Sequence, residues 1–129
     1  MGHEAWHEPY ESLTPATRDM HRAIVSLMEE LEAVDWYQQR ADVTPDAELK
    51  AVIEHNRDEE IEHAMMTLEW LRRRIPKFDV NARTYLFSDG PITEVEKKKK
   101  EVEVGQQEGA SGESDGSLGI GSLNPGARK

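Results

Sequence analysis

The sequence contains no cysteine. That absence removes disulfide scaffolds, thiolate zinc sites and iron–sulfur clusters, so any metal must be held by His, Glu, Asp or backbone oxygen. Such donors suit iron, manganese, zinc or calcium. The chain also lacks any run of about 18 apolar residues, the length a membrane-spanning helix needs. Its first residues, Met1-Gly2-His3-Glu4-Ala5-Trp6-His7, have neither the basic start nor the apolar stretch of a secretory signal, so a cytoplasmic product is the expectation. Positive charge is scarce: 16 Lys and Arg face 26 Asp and Glu, a formal net charge of −10, with a pI near 4.9. So acidic a chain suits nucleic acid poorly but concentrates cations at its surface.

Glycine and proline are missing from residues 16–44 and again from 46–75, and each gap accommodates a long helix. Thr14-Pro15 is a start signal, a Thr N-cap followed by Pro at the first helical position. Beyond it Met20, Ile24, Leu27, Leu31 and Val34 recur at helical spacing as a narrow apolar seam, predicting a helix over 15–40. Thr44-Pro45 repeats the start signal, and a second helix carrying Leu49, Val52, Ile53, Ala64, Leu68, Trp70 and Leu71 should run until just before Pro76. Arg72, Arg73 and Arg74 in its last turn suit the helix dipole. The short connection makes the two helices an antiparallel hairpin, roughly 40 Å long at ~1.5 Å per residue.

After Pro76, the residues Phe78, Val80, Ala82, Tyr85, Leu86 and Phe87 suggest a short third helix broken at Gly90-Pro91. Residues 93–104, with Lys97 to Lys100 and flanking glutamates, read as a solvated charged spacer with at most weak helicity. From Gly105 the composition turns to Gly, Ser, Glu and Gln, a flexible linker. Leu118, Ile120 and Leu123 then return as short apolar anchors, which fit either a docking peptide held in a partner's groove or a disordered end with chance aliphatics. The expected organisation is thus an irregular N-terminus (1–13), a helical domain (14–92), a charged and flexible linker (93–113) and a tail (114–129).

A hairpin exposes its apolar seams and cannot enclose a core alone. The expected fold is all-α, with two hairpins pairing about a two-fold axis into a four-helix bundle. Within the second helix, Asn56, Glu60 and His63 fall on one line with Leu49, Ile53, Thr67 and Leu71 at ~100° per residue. A polar trio therefore interrupts a stripe that ought to be buried, and burying a carboxylate is costly unless it is paired or bound to a cation. Glu60-x-x-His63 has the spacing that carboxylate-bridged di-iron sites draw from one helix, and such a site needs a Glu from each of two further helices. The first helix offers Glu29, Glu30 and Glu32. Glu30 lies roughly 80–90° from the seam centre, at its edge, with Tyr37 two turns on. Glu29 and Glu32 point away with Trp36 and Val25, where they could form an outer cation site. One chain thus holds half of a di-iron set, to be completed by a second copy. The plainer alternatives are a chance Glu-x-x-His in a Glu-rich helix, core packing for Tyr37, and a frayed terminus for His3 and His7, which at four residues apart could chelate a metal on a helical turn.

These residues carry a family resemblance. The stretches His21-Arg22-Ala23-Ile24-Val25-Ser26, Met28-Glu29-Glu30-Leu31-Glu32-Ala33-Val34-Asp35-Trp36-Tyr37, Asn56-Arg57-Asp58-Glu59-Glu60, Glu62-His63, Met66-Thr67-Leu68-Glu69-Trp70-Leu71-Arg72-Arg73 and Arg83-Thr84-Tyr85-Leu86-Phe87 resemble the encapsulated ferritins. Ser114-Asp115-Gly116-Ser117-Leu118-Gly119-Ile120-Gly121-Ser122-Leu123 resembles the encapsulin cargo-loading peptide of that family. The resemblance implies a hairpin that dimerises around a ferroxidase centre and assembles into a decameric ring, oxidising Fe(II) with dioxygen for iron storage inside an encapsulin shell. By the same resemblance Glu30, Glu60 and His63 of two chains hold two irons, Glu60 bridging, with Tyr37 and Trp36 near them. Glu29 and Glu32 match the position where metal enters, with Ca2+ as a candidate occupant. Rival readings are a non-catalytic helical adaptor that docks through its tail, and an acidic metal buffer without redox turnover.

Overall fold

The computed structural model describes residues 6–109, all of whose regular elements are helical. The described residues divide into two compact units, the first ending at Leu71 and the second beginning at Arg72. The first holds helix α1 (Pro15–Val43) and most of α2 (Ala47–Arg74); the second holds α3 (Pro76–Tyr85) and α4 (Ile92–Gly109).

Thr14 caps α1 as expected, its side-chain oxygen accepting from the Thr17 N–H at 3.1 Å. The second start signal works differently. Thr44 closes α1, its hydroxyl donating to the Arg40 carbonyl at 2.6 Å. Asp46 opens α2, its carboxylate accepting from the Leu49 N–H at 2.7 Å. A carboxylate next to the positive end of a helix is the better acceptor, which frees Thr44 for the preceding helix. Two long-range contacts then fix the antiparallel register. Arg57 donates to Gln38 at 2.7 Å near the turn, and the Thr67 hydroxyl donates to Glu30 at 3.3 Å farther along.

The two stripes face as their periodicity predicts, but they are only partly covered. Met20, Ile24, Leu27 and Val34 of α1 and Ile53, Asn56, Glu60, His63 and Thr67 of α2 are half-buried, and Leu71 is fully buried. Leu31, in mid-seam, is 51% exposed. Among the described residues the shielded apolar side chains are Ala41, Ala64 and Leu71. A single pair of helices buries one narrow strip of each and leaves the flanking apolar residues bare.

Ahead of α1, where an irregular stretch was expected, Tyr10–Ser12 form a single 3-10 turn. Arg18 donates to the Tyr10 carbonyl through Nε at 3.1 Å and Nη2 at 2.7 Å, and its guanidinium lies 3.9 Å over the Tyr10 ring. Arg22 donates to the Tyr10 hydroxyl at 3.2 Å, and Trp6 stacks on His21 with ring centroids 4.0 Å apart. These residues are therefore strapped to α1.

In the second unit, Pro76 starts α3 at the position where its missing N–H costs nothing. Asp79 is buried at 3% exposure between Arg72 and Arg83, both of which donate to its carboxylate. The helix ends with the Leu86 N–H on the Ala82 carbonyl. Phe87 then takes the left-handed conformation (φ 63°) before Gly90 (φ 82°). The expected charged spacer and the first residues of the expected flexible linker are instead α4. Glu94–Lys97 and Glu96–Lys100 pairs at 3.4 and 3.8 Å run along its face. Lys99 ties α4 to α3, donating to Asn81 at 2.8 Å beside the Tyr85 ring. Alternating charge at helical spacing, with no proline after Pro91 until the tail, favours this outcome over coil.

Candidate metal centre

Glu60 and His63 stand one turn apart on α2, with His63 Nδ1 3.6 Å from a Glu60 carboxylate oxygen. Both side chains are partly withdrawn from water, at 27% and 44% exposure respectively. The helix alone builds this half: i and i+3 positions share a face.

Glu30 comes from α1. One of its carboxylate oxygens receives the Thr67 hydroxyl, and the other, Oε2, is buried with no hydrogen-bond partner. A buried unpaired carboxylate oxygen is costly and is normally found paired, hydrated or bound to a cation. Thr67 lies seven residues beyond Glu60 on α2, which is about 10 Å of helix. Glu30 and Glu60 of one chain therefore sit at different levels of the groove. Consistent with this, no three His, Asp or Glu side chains gather to hold a metal within one chain among the described residues. What one chain supplies is two separate parts, a Glu-x-x-His on α2 and an unsatisfied carboxylate from α1.

The other predicted residues are placed as follows. Tyr37 is half-buried, with the Arg40 guanidinium 5.5 Å over its ring. Glu29 is exposed, Glu32 half-buried and Trp36 46% exposed, so this trio borders solvent. His55 is exposed and faces Glu59 at 3.4 Å, apart from the Glu60–His63 pair. His3, and the docking residues Leu118, Ile120 and Leu123, lie outside the described residues. Thr67 was visible in the sequence only as a position on the stripe. Its hydroxyl is what joins α2 to Glu30.

A sequence model of the EncFtn-like family matches residues 5–89. The chain belongs to the EncFtn-like family. The match spans α1, α2 and α3 and so contains every residue of the candidate centre. Among relatives, an "Encapsulated ferritin-like protein" of Rhodospirillum rubrum is 58% identical over 120 residues, covering 91% of this chain and 86% of the relative. A "Ferritin-like protein" of Thermotoga maritima is 50% identical over 117 residues, covering 91% of this chain and 96% of the relative. The Myxococcus xanthus "Encapsulin nanocompartment cargo protein EncC" is 32% identical over 79 residues, 58% of this chain and 61% of that protein. The fold is also that of a crystal structure, protein ne0167 from Nitrosomonas europaea, with a TM-score of 0.67 and 58% sequence identity. That likeness covers 68% of this chain and 97% of the other. The resemblance to the encapsulated ferritins, and the all-helical fold expected with it, are thereby shown. No helix among the described residues is long and apolar enough to cross a membrane.

Proposed function

We propose that this EncFtn-like chain is a ferroxidase, oxidising Fe(II) with dioxygen at a di-iron site shared between two copies, as cargo of an encapsulin shell that stores the product. The observation that carries the reading is Glu30 Oε2, buried and unpartnered, on the helix that faces Glu60 and His63. Leu31, Val52, Ile61 and Met65, all 44% exposed or more, supply apolar surface for a second hairpin. Antiparallel packing about a two-fold axis would carry the Glu30 of each copy toward the Glu60–His63 pair of the other. The family resemblance extends the assembly to a ring of ten. Encapsulation is supported by the names of the Rhodospirillum and Myxococcus relatives.

The donor set fits the substrate. Carboxylate oxygens and one imidazole per metal suit iron in both oxidation states. Each Fe(II) gives up one electron, and two irons held side by side deliver two electrons to one dioxygen. The chain's own part is to hold Glu30 and Glu60 aimed, with His63 steadied against Glu60. Glu29, Glu32 and Trp36, bordering solvent, form the outer station through which cations arrive.

Anaerobic Fe(II) titration followed by oxygen tests the reading. Saturation near one iron per chain, as a shared two-iron site requires, and then rapid oxygen uptake are expected. Glu30→Ala and Glu60→Ala should each abolish the uptake. Wild-type oxidation in either variant sinks the site assignment. Tight binding without oxygen consumption would make the protein a buffer, and no tight binding would leave an adaptor. Deleting residues 114–129 should leave oxidation intact while ending capture by the shell.

A further inference from the structure

Thr67 Oγ1 lies 3.2 Å from the His63 carbonyl oxygen and 3.3 Å from Glu30 Oε1. A hydroxyl carries one hydrogen, so it donates to one of the two at a time. Both acceptors are reached from the same side-chain position, and only the hydroxyl hydrogen has to turn. Which acceptor wins follows from their chemistry. The His63 carbonyl already lies within α2, where the helix ladder supplies its partner four residues on. Glu30 Oε1 has no such provision, and hydrogen bonds to a charged acceptor are roughly twice as strong as neutral ones.

We infer that Thr67 is a positioning residue for Glu30, holding Oε1 so that Oε2 is presented, unpartnered, to a bound cation. The inference rests on the reading of Glu30 as a metal ligand. A ligating carboxylate held by one oxygen keeps a single orientation in the groove. One held by neither can rotate until both oxygens find water, and binding metal then has to undo that hydration. Thr67 thus acts on affinity through Glu30 without touching the metal. Its backbone bond to His63, on the same turn, links the orientation of the α1 carboxylate to the helix that carries the imidazole. The hydroxyl is the specific requirement: the methyl group serves packing, and valine would keep it while losing the donor.

The test is anaerobic Fe(II) titration by calorimetry on the full chain, with the thermal midpoint of the metal-free protein as a control. Thr67→Val should weaken Fe(II) binding by about tenfold, the lower end for loss of a ligand-orienting hydrogen bond. Thr67→Ser, which restores the donor, should recover binding to within about threefold of wild type on the same scale. The metal-free midpoint should fall in Thr67→Val by no more than one lost hydrogen bond allows, about 4–8 °C, and stay near wild type in Thr67→Ser. Wild-type affinity in Thr67→Val overturns the inference, as does equal weakening in Thr67→Ser. A loss of affinity in Thr67→Val accompanied by a fall in midpoint well beyond about 8 °C would assign Thr67 to packing and overturn it too. Glu30→Gln separates this failure from that of the underlying site. If Glu30→Gln loses affinity and Thr67→Val does not, only the role of Thr67 falls. If Glu30→Gln also binds normally, the ligand assignment falls with it.

Discussion

Glu30→Met should make the metal-free protein more stable and the metal-loaded protein less so. Met matches Glu in length and removes both carboxylate oxygens, including the buried, unpartnered Oε2. Leaving such an atom unsatisfied costs about 2 kcal/mol. The substitution also loses the Thr67 contact, worth about 1 kcal/mol, although the Thr67 hydroxyl keeps the His63 carbonyl at 3.2 Å. The balance is a gain of about 1 kcal/mol, or roughly 4–8 °C in thermal midpoint for a domain of this size. Fe(II) should reverse the order. A ligand present at a hundred times its Kd stabilises the binding-competent protein by about 2.7 kcal/mol, and the variant receives none of it. The assay is an anaerobic circular-dichroism melt, with chelator and then with Fe(II), at one fixed protein concentration because self-association also moves the midpoint. A variant that melts below wild type without metal refutes the claim that Oε2 is a standing cost. A variant that gains as much from Fe(II) as wild type refutes the claim that the cost is retained for binding.

Three other perturbations follow from the packing. Asp46→Ala should lower stability by about 1 kcal/mol in urea denaturation; a larger loss in Thr44→Ala would return the start of α2 to Thr44. Burial opposes the ionisation of Asp79, yet hydrogen bonds from Arg83 and Arg72 overcome it and hold the carboxyl below its ordinary 3.8. A lowered carboxyl pKa contributes stability above the unfolded value, and that contribution is lost as pH falls through the folded value. Asp79→Asn should therefore cost about 2 kcal/mol at neutral pH and make the acid limb below about pH 4 shallower, as read by urea denaturation across pH; an unchanged limb would show that the pair is not linked to folding. Leu31→Asp puts a charge on apolar surface that is 51% exposed in one chain. It should shift the protein toward monomer in size-exclusion chromatography and abolish iron oxidation, and an unaltered oligomer would remove Leu31 from the interface.

The hairpin and its short third helix were legible because periodicity and punctuation agreed. Two gaps free of glycine and proline, each bounded by a cap, left little freedom in where α1 and α2 lie. The direction of the α2 stripe was legible for the same reason, from Ile53 through Leu71. The start of α2 was misplaced by two residues because Thr44 and Asp46 are both good caps, and only packing decides which helix each serves. Helix α4 was read as spacer because a run of four lysines looks solvated. The glutamates at helical spacing on both sides, and the reach of Lys99 to Asn81, are what favour the helix. The strap formed by Trp6 and Tyr10 had no periodic signal at all. It depends on Arg18, Arg22 and His21, which a reading of apolar positions passes over. At the candidate centre, spacing identified Glu60 and His63 as neighbours. It could not show that Glu30 meets Thr67 instead of Glu60, because the register of one helix on another is set by side-chain contacts across the groove.

The scarcity of shielded apolar side chains in the hairpin has a consequence for how the protein is kept in a cell. With Ala41, Ala64 and Leu71 as the fully covered apolar residues among those described, a solitary copy has little of its own to resist unfolding. Most of its resistance would have to come from neighbours, so its melting temperature should climb with concentration. Newly made copies that find no companion would be the ones removed by proteases. Abundance would then be governed by assembly, and a surplus of unassembled chains, each with a half-built cation site, would not accumulate.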